Sequence, residues 1–451
     1  MAADPQTIAA LGRAIEARQV TSESVTTRCL ARIAERNPAI NAFITVLAEE
    51  ALAQARDADR EIATGRYRGS LHGVPISLKD LLDVKGVATT AASRVRAGHL
   101  AERDAAVVAA LRDAGAVFLG KTNLHEFAFG TTNEDSAFGP ARHPLDANRS
   151  PGGSSGGSAA SVLDGMAYAS IGTDTGGSIR IPAAACGLVG LKPSLGETNT
   201  SGVVPLSVTM DHVGSLCRTV EDARLVHDVL RGAPEELPEP RDVRGLKLGV
   251  LRGYFGALLD AQVASTFDAA CARLAEAGVQ LDDVEIAHTG DIAPIYLHIV
   301  LAEAAAYHAK TLENRADDYT PNVRIRLEMG RYVLAEDYVR ALRGRDVLIK
   351  EVDAALAGRD ALLLPALAVP APRLGATTVR IGAIEEPVRN VMLRLTQLFN
   401  VTGHPAISIP CGKTIEGMPV GAQLAGRRHA TGTLLQHAAT LEPYLGPGTS
   451  L

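Results

Sequence analysis

The stretch that decides the fold is residues 150–193, SPGGSSGGSAASVLDGMAYASIGTDTGGSIRIPAAACGLVGLKP. It holds two clusters of serine and glycine, at 152–158 and 172–178. The small, apolar run 166–171 before the second cluster predicts a buried strand that leads Ser178 into a tight turn. Two adjacent glycines before a serine allow several backbone N–H groups to converge on one point, which is the geometry an oxyanion needs. Ser178 is therefore the candidate nucleophile.

A serine hydroxyl is a weak nucleophile and needs a neighbouring base. None of the twelve histidines stands in a context that marks it as one. In LHGVPISLKDLL, residues 71–82, apolar residues at 74, 76 and 78 predict a strand that carries Lys79 toward the core. A lone lysine on a strand is usually solvated, but the serine clusters favour burial here. Because burial disfavours the charged form, Lys79 can act as a base near neutral pH.

Other interpretations of the serine clusters do not fit their surroundings. A flexible linker would be longer and would not lie between structured segments. Residues 152–156 fit G-x-S-x-G, the nucleophile elbow, but that motif needs a preceding strand, and residues 143–151 are polar and interrupted by proline. A phosphate-binding loop needs Gly-Lys-Ser or Gly-Lys-Thr after the glycines, and no lysine stands there.

Three motifs together resemble the amidase signature family of serine hydrolases: GGSSGGS at 152–158, GTDTGGSIRIPA at 172–183 and CGLVGLKP at 186–193. In that family the catalytic unit is a serine, a second serine with a cis peptide bond, and a lysine. The resemblance implies Ser178 as nucleophile, Ser154 as the cis serine and Lys79 as the base. It also implies an oxyanion hole of backbone N–H groups and a supporting network, respectively from Thr175, Gly176, Gly177 and Ser178, and from Ser155, Asp174 and Arg180.

The resemblance implies an α/β/α sandwich with a large mixed, mostly parallel central sheet of about eleven strands covered by helices. An alternation of strand and helix patterns also predicts a largely parallel sheet. We interpret residues 1–451 as a single domain with its signature core at 60–215. A helical excursion at about 291–356 is expected to cap the pocket. Asp4 and Asp104 are predicted helix caps, and the proline-rich stretch 232–245 is a predicted exposed connector.

The segment KTNLHEFAFGTTN, residues 121–133, resembles the family pattern that lines the substrate cleft, with Ala128, Phe129 and Thr131 as implied binding residues. His125 and Glu126 could suggest zinc, but two adjacent polar residues do not make a helical ligand face, so no metal or cofactor is predicted. The predicted reaction is hydrolysis of a linear amide through an acyl-enzyme. Small to medium uncharged amides are the first choice, with anilides, esters and carbamates (urethanes) as further candidates.

Three alternatives stay beside this prediction. The chain could be the A subunit of a glutamyl-tRNA(Gln) amidotransferase, a glutaminase within a complex; residues 129–140 are compatible with it, but the arginine and acid that would clamp glutamine cannot be placed. Asp211 and His212 could belong to a Ser-His-Asp triad, which Lys79 makes unnecessary. A catalytically dead homologue is disfavoured because all three core residues are present.

Composition favours a globular enzyme, with 46% hydrophobic and 21% charged residues among 451. The net charge of −6 and the lack of a basic run argue against direct binding of nucleic acid. Five widely separated cysteines indicate reduced thiols, and charges within the first 20 residues argue against a signal peptide. We predict no membrane span, because the apolar runs of the sequence are too short for one. We therefore expect a cytoplasmic monomer or homodimer whose partners are a small amide and water.

Overall fold

The computed structural model describes residues 6–232 and 242–446. Within these ranges, eleven strands form one sheet and two more form a hairpin. The strands are β1 Phe43–Val46, β2 Pro75–Lys79, β3 Val117–Thr122, β4 Ala169–Asp174, β5 Val189–Lys192, β6 His212–Cys217, β7 Lys247–Leu251, β8 Gln280–Val284, β9 Ala361–Pro365, β10 Thr378–Ile381, β11 Ile384–Pro387, β12 Ala406–Lys413 and β13 Pro419–Ala425. The β10–β11 hairpin was not expected from the sequence.

Helices cover both faces of the sheet. They are α1 Ile8–Glu16, α2 Ser22–Ile40, α3 Ala48–Ala63, α4 Ala106–Asp113, α5 Gly156–Leu163, α6 Arg180–Cys186, α7 Val220–Arg231, α8 Ala261–Glu276, α9 Ile292–Arg315, α10 Pro321–Gly330, α11 Ala335–Ala355, α12 Val388–Leu393, α13 Gln397–Val401 and α14 Thr431–Leu445. In β9, Leu362 and Leu364 enter one hydrophobic core while Ala361 and Leu363 enter the other, because successive side chains of a strand point to opposite faces. The predicted α/β/α sandwich is confirmed.

The strand order is β1-β3-β2-β4-β6-β5-β12-β13-β9-β7-β8. The pairs β3–β2, β2–β4, β9–β7 and β7–β8 are parallel, and the other six are antiparallel. The sheet is thus mixed as predicted, but the expectation that it is mostly parallel is wrong. Parallel neighbours need a crossover, whereas a short turn at 414–418 joins β12 to β13, and residues 193–211 join β5 to β6 without a helix.

The predicted helix caps are not observed. The cap of α1 is Thr7, whose hydroxyl accepts a hydrogen bond from the N–H of Ala10 at 3.1 Å, and Asp4 lies outside the described residues. Helix α4 has no side-chain cap, because Asp104 accepts the N–H of Lys85 at 2.7 Å and pairs with Arg112 instead. Most of the predicted connector, residues 233–241, also lies outside the described residues.

The predicted helical excursion consists of α9, α10 and α11, between β8 and β9. Contrary to the expectation from the sequence, the helical stretch 289–318 is long and apolar enough to cross a membrane, with a mean hydropathy of 1.2. In the fold, α9 packs against α10, α11 and α13 and buries Ile295, Ile299 and Val300. Its apolar character is therefore used in the protein core.

Candidate active site

Lys79 ends β2, a strand buried between β3 and β4 in the sheet, and its side chain is fully buried. Its Nζ donates hydrogen bonds to Ser154 Oγ at 2.8 Å and to Thr173 Oγ1 at 2.7 Å. Burial lowers the pKa of Lys79 to about 7, against the opposing effect of the Asp174 and Asp211 charges. A large share of the amine is thus neutral near pH 7, which is what a general base requires.

Ser154 lies in the loop before α5, and the peptide bond between Gly153 and Ser154 is cis. A Cβ at Gly153 would lie 2.8 Å from the backbone N of Asn133, so only glycine fits this close approach. The next residue links the two serine clusters: Ser155 donates from its N–H to the carbonyl of Ser178 at 3.3 Å and from its hydroxyl to the carbonyl of Thr173 at 3.2 Å. The two clusters therefore meet in space, as the resemblance implied.

Ser178 stands between the end of β4 and the start of α6, and only 5% of it is exposed. Gly177 before it has φ +135°, and a Cβ there would lie 2.2 Å from Thr396 Oγ1. A Cβ at Gly176 would lie 2.5 Å from the hydroxyl of Tyr296 on α9. The turn can thus be built only with glycine at these positions, because neighbouring side chains fill the space a Cβ would need.

One of the four predicted oxyanion donors is already engaged. The N–H of Gly177 donates to Asp174 Oδ1 at 2.8 Å. This corrects the expectation that the N–H groups of Thr175, Gly176, Gly177 and Ser178 are equally available to a substrate. The reason is that the carboxylate of Asp174 shapes the turn by binding N–H groups inside it, including that of Ile179 at 3.1 Å.

Asp174 and Arg180 form a buried ion pair beneath the Ser178 turn. Arg180 donates from Nη2 to Asp174 Oδ1 and from Nε to Oδ2, both at 3.0 Å. Burial alone would raise the pKa of Asp174, but the charge and hydrogen bonds of Arg180 hold that pKa well below its ordinary value. Arg180 also donates to Asn400 Oδ1 at 2.6 Å and to Gln423 Oε1 at 2.5 Å. Both members of the predicted supporting pair are thus fixed under the turn.

The predicted substrate segment lies beside the serine clusters. Ala128 and Phe127 have positive φ angles of +59° and +51°, so the chain turns sharply here. Thr131 lines a cavity, whereas the side chain of Phe129 lies in the core and its carbonyl accepts a hydrogen bond from Arg326 Nη1 at 2.6 Å.

His125 and Glu126, considered for zinc, face different partners. His125 Nε2 lies 3.1 Å from Asp135 Oδ2, and the carboxylate of Glu126 accepts the N–H of Thr320 at 2.7 Å. Among residues 6–232 and 242–446, no group of three or more His, Cys, Asp or Glu side chains could hold a metal ion.

Two cavities flank the serine clusters. The first, of about 250 Å³, is lined in part by Leu393, which a Cβ at Gly176 would approach to 3.0 Å; we call it the oxyanion-side cavity. The second, of about 370 Å³, is called the arginine cavity. The residues of the arginine cavity used below are His125, Thr131, Thr132, Asp135, Arg326 and Arg389. Arg389 lines both cavities.

The Ser-His-Asp alternative is not built here. His212 Nδ1 lies 2.7 Å from the carbonyl of Met210 and 3.1 Å from that of Asp174. Asp211 instead accepts the hydroxyl of Thr175 at 2.5 Å, and burial raises its pKa to about 6. The two neighbours in sequence thus serve different parts of the structure.

The sequence matches the family model "Amidase" over residues 24–435. The chain belongs to the amidase family. An amidase of Pseudomonas putida is 40% identical over 97% of this chain and 95% of its own length. The A-type polypeptide of the glutamyl-tRNA(Gln) amidotransferase of Moorella thermoacetica is 37% identical over 94% of this chain and 93% of its own length. A crystal structure of an amidase superposes with a TM-score of 0.93 at 36% identity, covering 98% of this chain and 100% of its own.

These likenesses confirm the amidase-signature fold and identify the chain as an amidase-family enzyme that acts on C–N bonds. Several polar residues of this amidase-family site were missed from the sequence. Thr173 could have been found, because it lies on β4 next to the lysine strand β2 and inside the motif that carries Ser178. The others come from distant helices whose sequence patterns carry no such signal: Tyr296, Arg326, Arg389 and Asn400.

Proposed function

We propose that this chain hydrolyses a linear carboxylic amide through an acyl-enzyme on Ser178. The observation that carries the proposal is the buried amine of Lys79, with a pKa of about 7, at 2.8 Å from Ser154 Oγ. An exposed lysine stays protonated at neutral pH and cannot accept a proton. This one is a base because burial disfavours its charge.

The proton path begins at Lys79. A neutral amine has two N–H groups and one lone pair: Thr173 Oγ1, at 2.7 Å, accepts one N–H, and the lone pair faces Ser154. Lys79 takes the proton of the Ser154 hydroxyl while Ser154 takes that of Ser178. The oxygen of Ser178 then bonds to the amide carbon, and the C=O electron pair moves onto oxygen.

The oxyanion is stabilised by N–H groups of the Ser178 turn. Those of Thr175, Gly176 and Ser178 are the donors we assign, since that of Gly177 binds Asp174. Removing one such donor in a serine hydrolase costs about 3–4 kcal/mol of barrier. The proton returns through Ser154 to the nitrogen, the C–N bond breaks and the amine leaves. Water then attacks the acyl-enzyme by the same path and releases the acid.

The test is a panel of amides, anilides, esters and carbamates with the purified chain, together with mass detection of an acyl group on Ser178. Lys79→Ala and Ser178→Ala should each lower turnover by at least about 1,000-fold, by analogy with other nucleophile–base pairs. The matched control is Lys350→Ala, at an exposed lysine of α11, which should keep wild-type turnover. Unchanged turnover in Lys79→Ala or Ser178→Ala, in a variant that unfolds at the wild-type temperature, contradicts the proposal.

A second candidate is favoured by the relatives that are A-type polypeptides of glutamyl-tRNA(Gln) amidotransferases. In that case the chain would release ammonia from glutamine within a complex. Glutaminase activity that rises on adding partner subunits, with transfer to tRNA, would favour it. Full activity of the isolated chain on anilides or carbamates would favour the stand-alone enzyme.

We also propose that the enzyme works as a monomer or homodimer in a reducing compartment such as the cytoplasm. All five cysteines are free and buried, which fits a chain that uses thiols for packing and not for disulfides. Light scattering of the purified chain gives the oligomeric state, and fractionation of the source cells gives the compartment.

A further inference from the structure

The arginine cavity brings two guanidinium groups together from separate elements. Arg326 comes from α10 and Arg389 from α12, and both are half-buried. Arg326 spends one donor, Nη1, on the carbonyl of Phe129. The Nε of Arg389 is buried without a hydrogen-bond partner among the described residues. A guanidinium has five N–H donors, so this pair keeps much of its donor capacity for something else.

The carboxylates nearby are held by other groups. Asp135, whose charge acts on Arg326, lies 3.1 Å from His125 Nε2 and accepts the amide of Asn322 at 3.2 Å. Glu134 accepts the N–H of Gly375. In the described part of the chain, no carboxylate forms an ion pair with Arg326 or Arg389. The two positive charges of the cavity are therefore not balanced by the protein around them.

This arrangement is unfavourable without a ligand. Burial and the like charge of Arg389 lower the pKa of Arg326 to about 10, and burial also lowers the pKa of Arg389. Both side chains nevertheless stay charged at neutral pH, so they repel each other. An anion between them would relieve the repulsion and fill the unused donors, and the planar guanidinium matches a carboxylate in a two-bond geometry.

The cavity also lies within reach of the reaction centre. The N–H of His125, which lines it, donates to the carbonyl of Ser154 at 3.0 Å. The segment 131–133, whose Thr131 and Thr132 line the same cavity, packs directly on Gly153. A volume of about 370 Å³ suits a short acyl chain with a terminal polar group.

We propose that the amide substrate of this enzyme carries a carboxylate, which Arg326 and Arg389 bind in the arginine cavity. This inference rests on the proposed amide hydrolysis at Ser178. It replaces the uncharged substrate expected from the sequence, from which these arginines could not be placed. Arg326 and Arg389 are binding residues in this scheme, since they touch the substrate away from the bond that breaks.

The experiment compares two substrates of equal length that differ in charge, the monoamide and the diamide of glutaric acid, by ammonia release. We expect kcat/KM to be about 10- to 100-fold higher for the monoamide, the range that charged hydrogen bonds supply. Arg326→Gln and Arg389→Gln should each reduce the monoamide-to-diamide ratio about tenfold or more. The matched control is Arg331→Gln, at an exposed arginine just after α10, which should keep the wild-type ratio.

The outcomes separate the two proposals. A wild-type ratio near one, or a ratio that neither cavity arginine changes, overturns the carboxylate site and leaves amide hydrolysis standing. If neither compound is hydrolysed, calorimetry with Ser178→Ala still decides. Tighter binding of the monoamide than of the diamide, lost in Ser178→Ala/Arg389→Gln, supports the site, and equal or weaker binding of the monoamide overturns it. Absence of turnover and of acylated Ser178 across the wider panel counts against the proposed function instead.

Discussion

Lys79 should impose a steep acid limb on the activity. Its pKa is lowered to about 7 by burial, and only the neutral amine accepts the proton of Ser154. The neutral fraction is then about one-tenth at pH 6 and about nine-tenths at pH 8, so kcat/KM should rise roughly tenfold across this range and level off above it. The sign follows from the base: a group that must be deprotonated loses activity as pH falls.

Asp211→Asn tests the cause of this limb. The Asp211 charge raises the pKa of Lys79, opposing the effect of burial, so removing that charge should move the limb about one pH unit lower. Asp211 itself has a pKa raised to about 6 by burial, so the wild-type limb reports two coupled groups and should become a simple single titration in the variant. Asparagine keeps one oxygen to accept the hydroxyl of Thr175.

The assay is kcat/KM from pH 5 to 9 on the best amide of the panel, measured as released amine or ammonia. Glu276→Gln, at an exposed acid of α8, is the control for the loss of one negative charge and should leave the limb in place. A flat profile between pH 5.5 and 8 would refute the neutral-lysine mechanism. A limb that moves to higher pH in Asp211→Asn would refute the assigned electrostatics.

Two further predictions concern the Ser178 turn. Gly177→Ala places a Cβ 2.2 Å from Thr396 Oγ1 at a φ of +135°, so turnover should fall by about 100-fold or more; a variant with wild-type turnover contradicts the tight packing described for the turn. Arg180→Gln leaves Asp174 buried without its charged partner, so urea unfolding should give a free energy about 3–5 kcal/mol lower. A loss below about 1 kcal/mol would mean that Asn400 and the N–H groups of the turn satisfy the carboxylate alone.

The part of the site that could be predicted is the part encoded by short stretches of chain. Ser154, Ser178 and Lys79 stand in local motifs with clear strand and turn patterns, and the structure brings Lys79 and Ser154 into contact. Arg326 and Arg389 could not be predicted, because each is one charged residue on an ordinary helix. Their meeting depends on how α10 and α12 pack, which no local periodicity reports.

The direction of the strands was also beyond local sequence. A buried strand reads as the same apolar run whether its neighbour is parallel or antiparallel, so the βαβ rhythm around β2 and β3 was extended too far along the chain. The error did not affect the predicted base. Lys79 lies on β2 with parallel neighbours on both sides, where the rhythm holds.

Lys79 and Arg180 show how one buried site can hold two basic groups in opposite states. Both are fully buried, but the amine of Lys79 contacts hydroxyls while Arg180 contacts the carboxylate of Asp174. The charge of Asp174 raises the pKa of Lys79, so an unpaired Asp174 would keep that lysine protonated and inactive. By neutralising Asp174, Arg180 protects the base as well as the turn. In Arg180→Gln the acid limb should therefore move to higher pH, the opposite of its shift in Asp211→Asn, and a limb at the wild-type position would contradict this role.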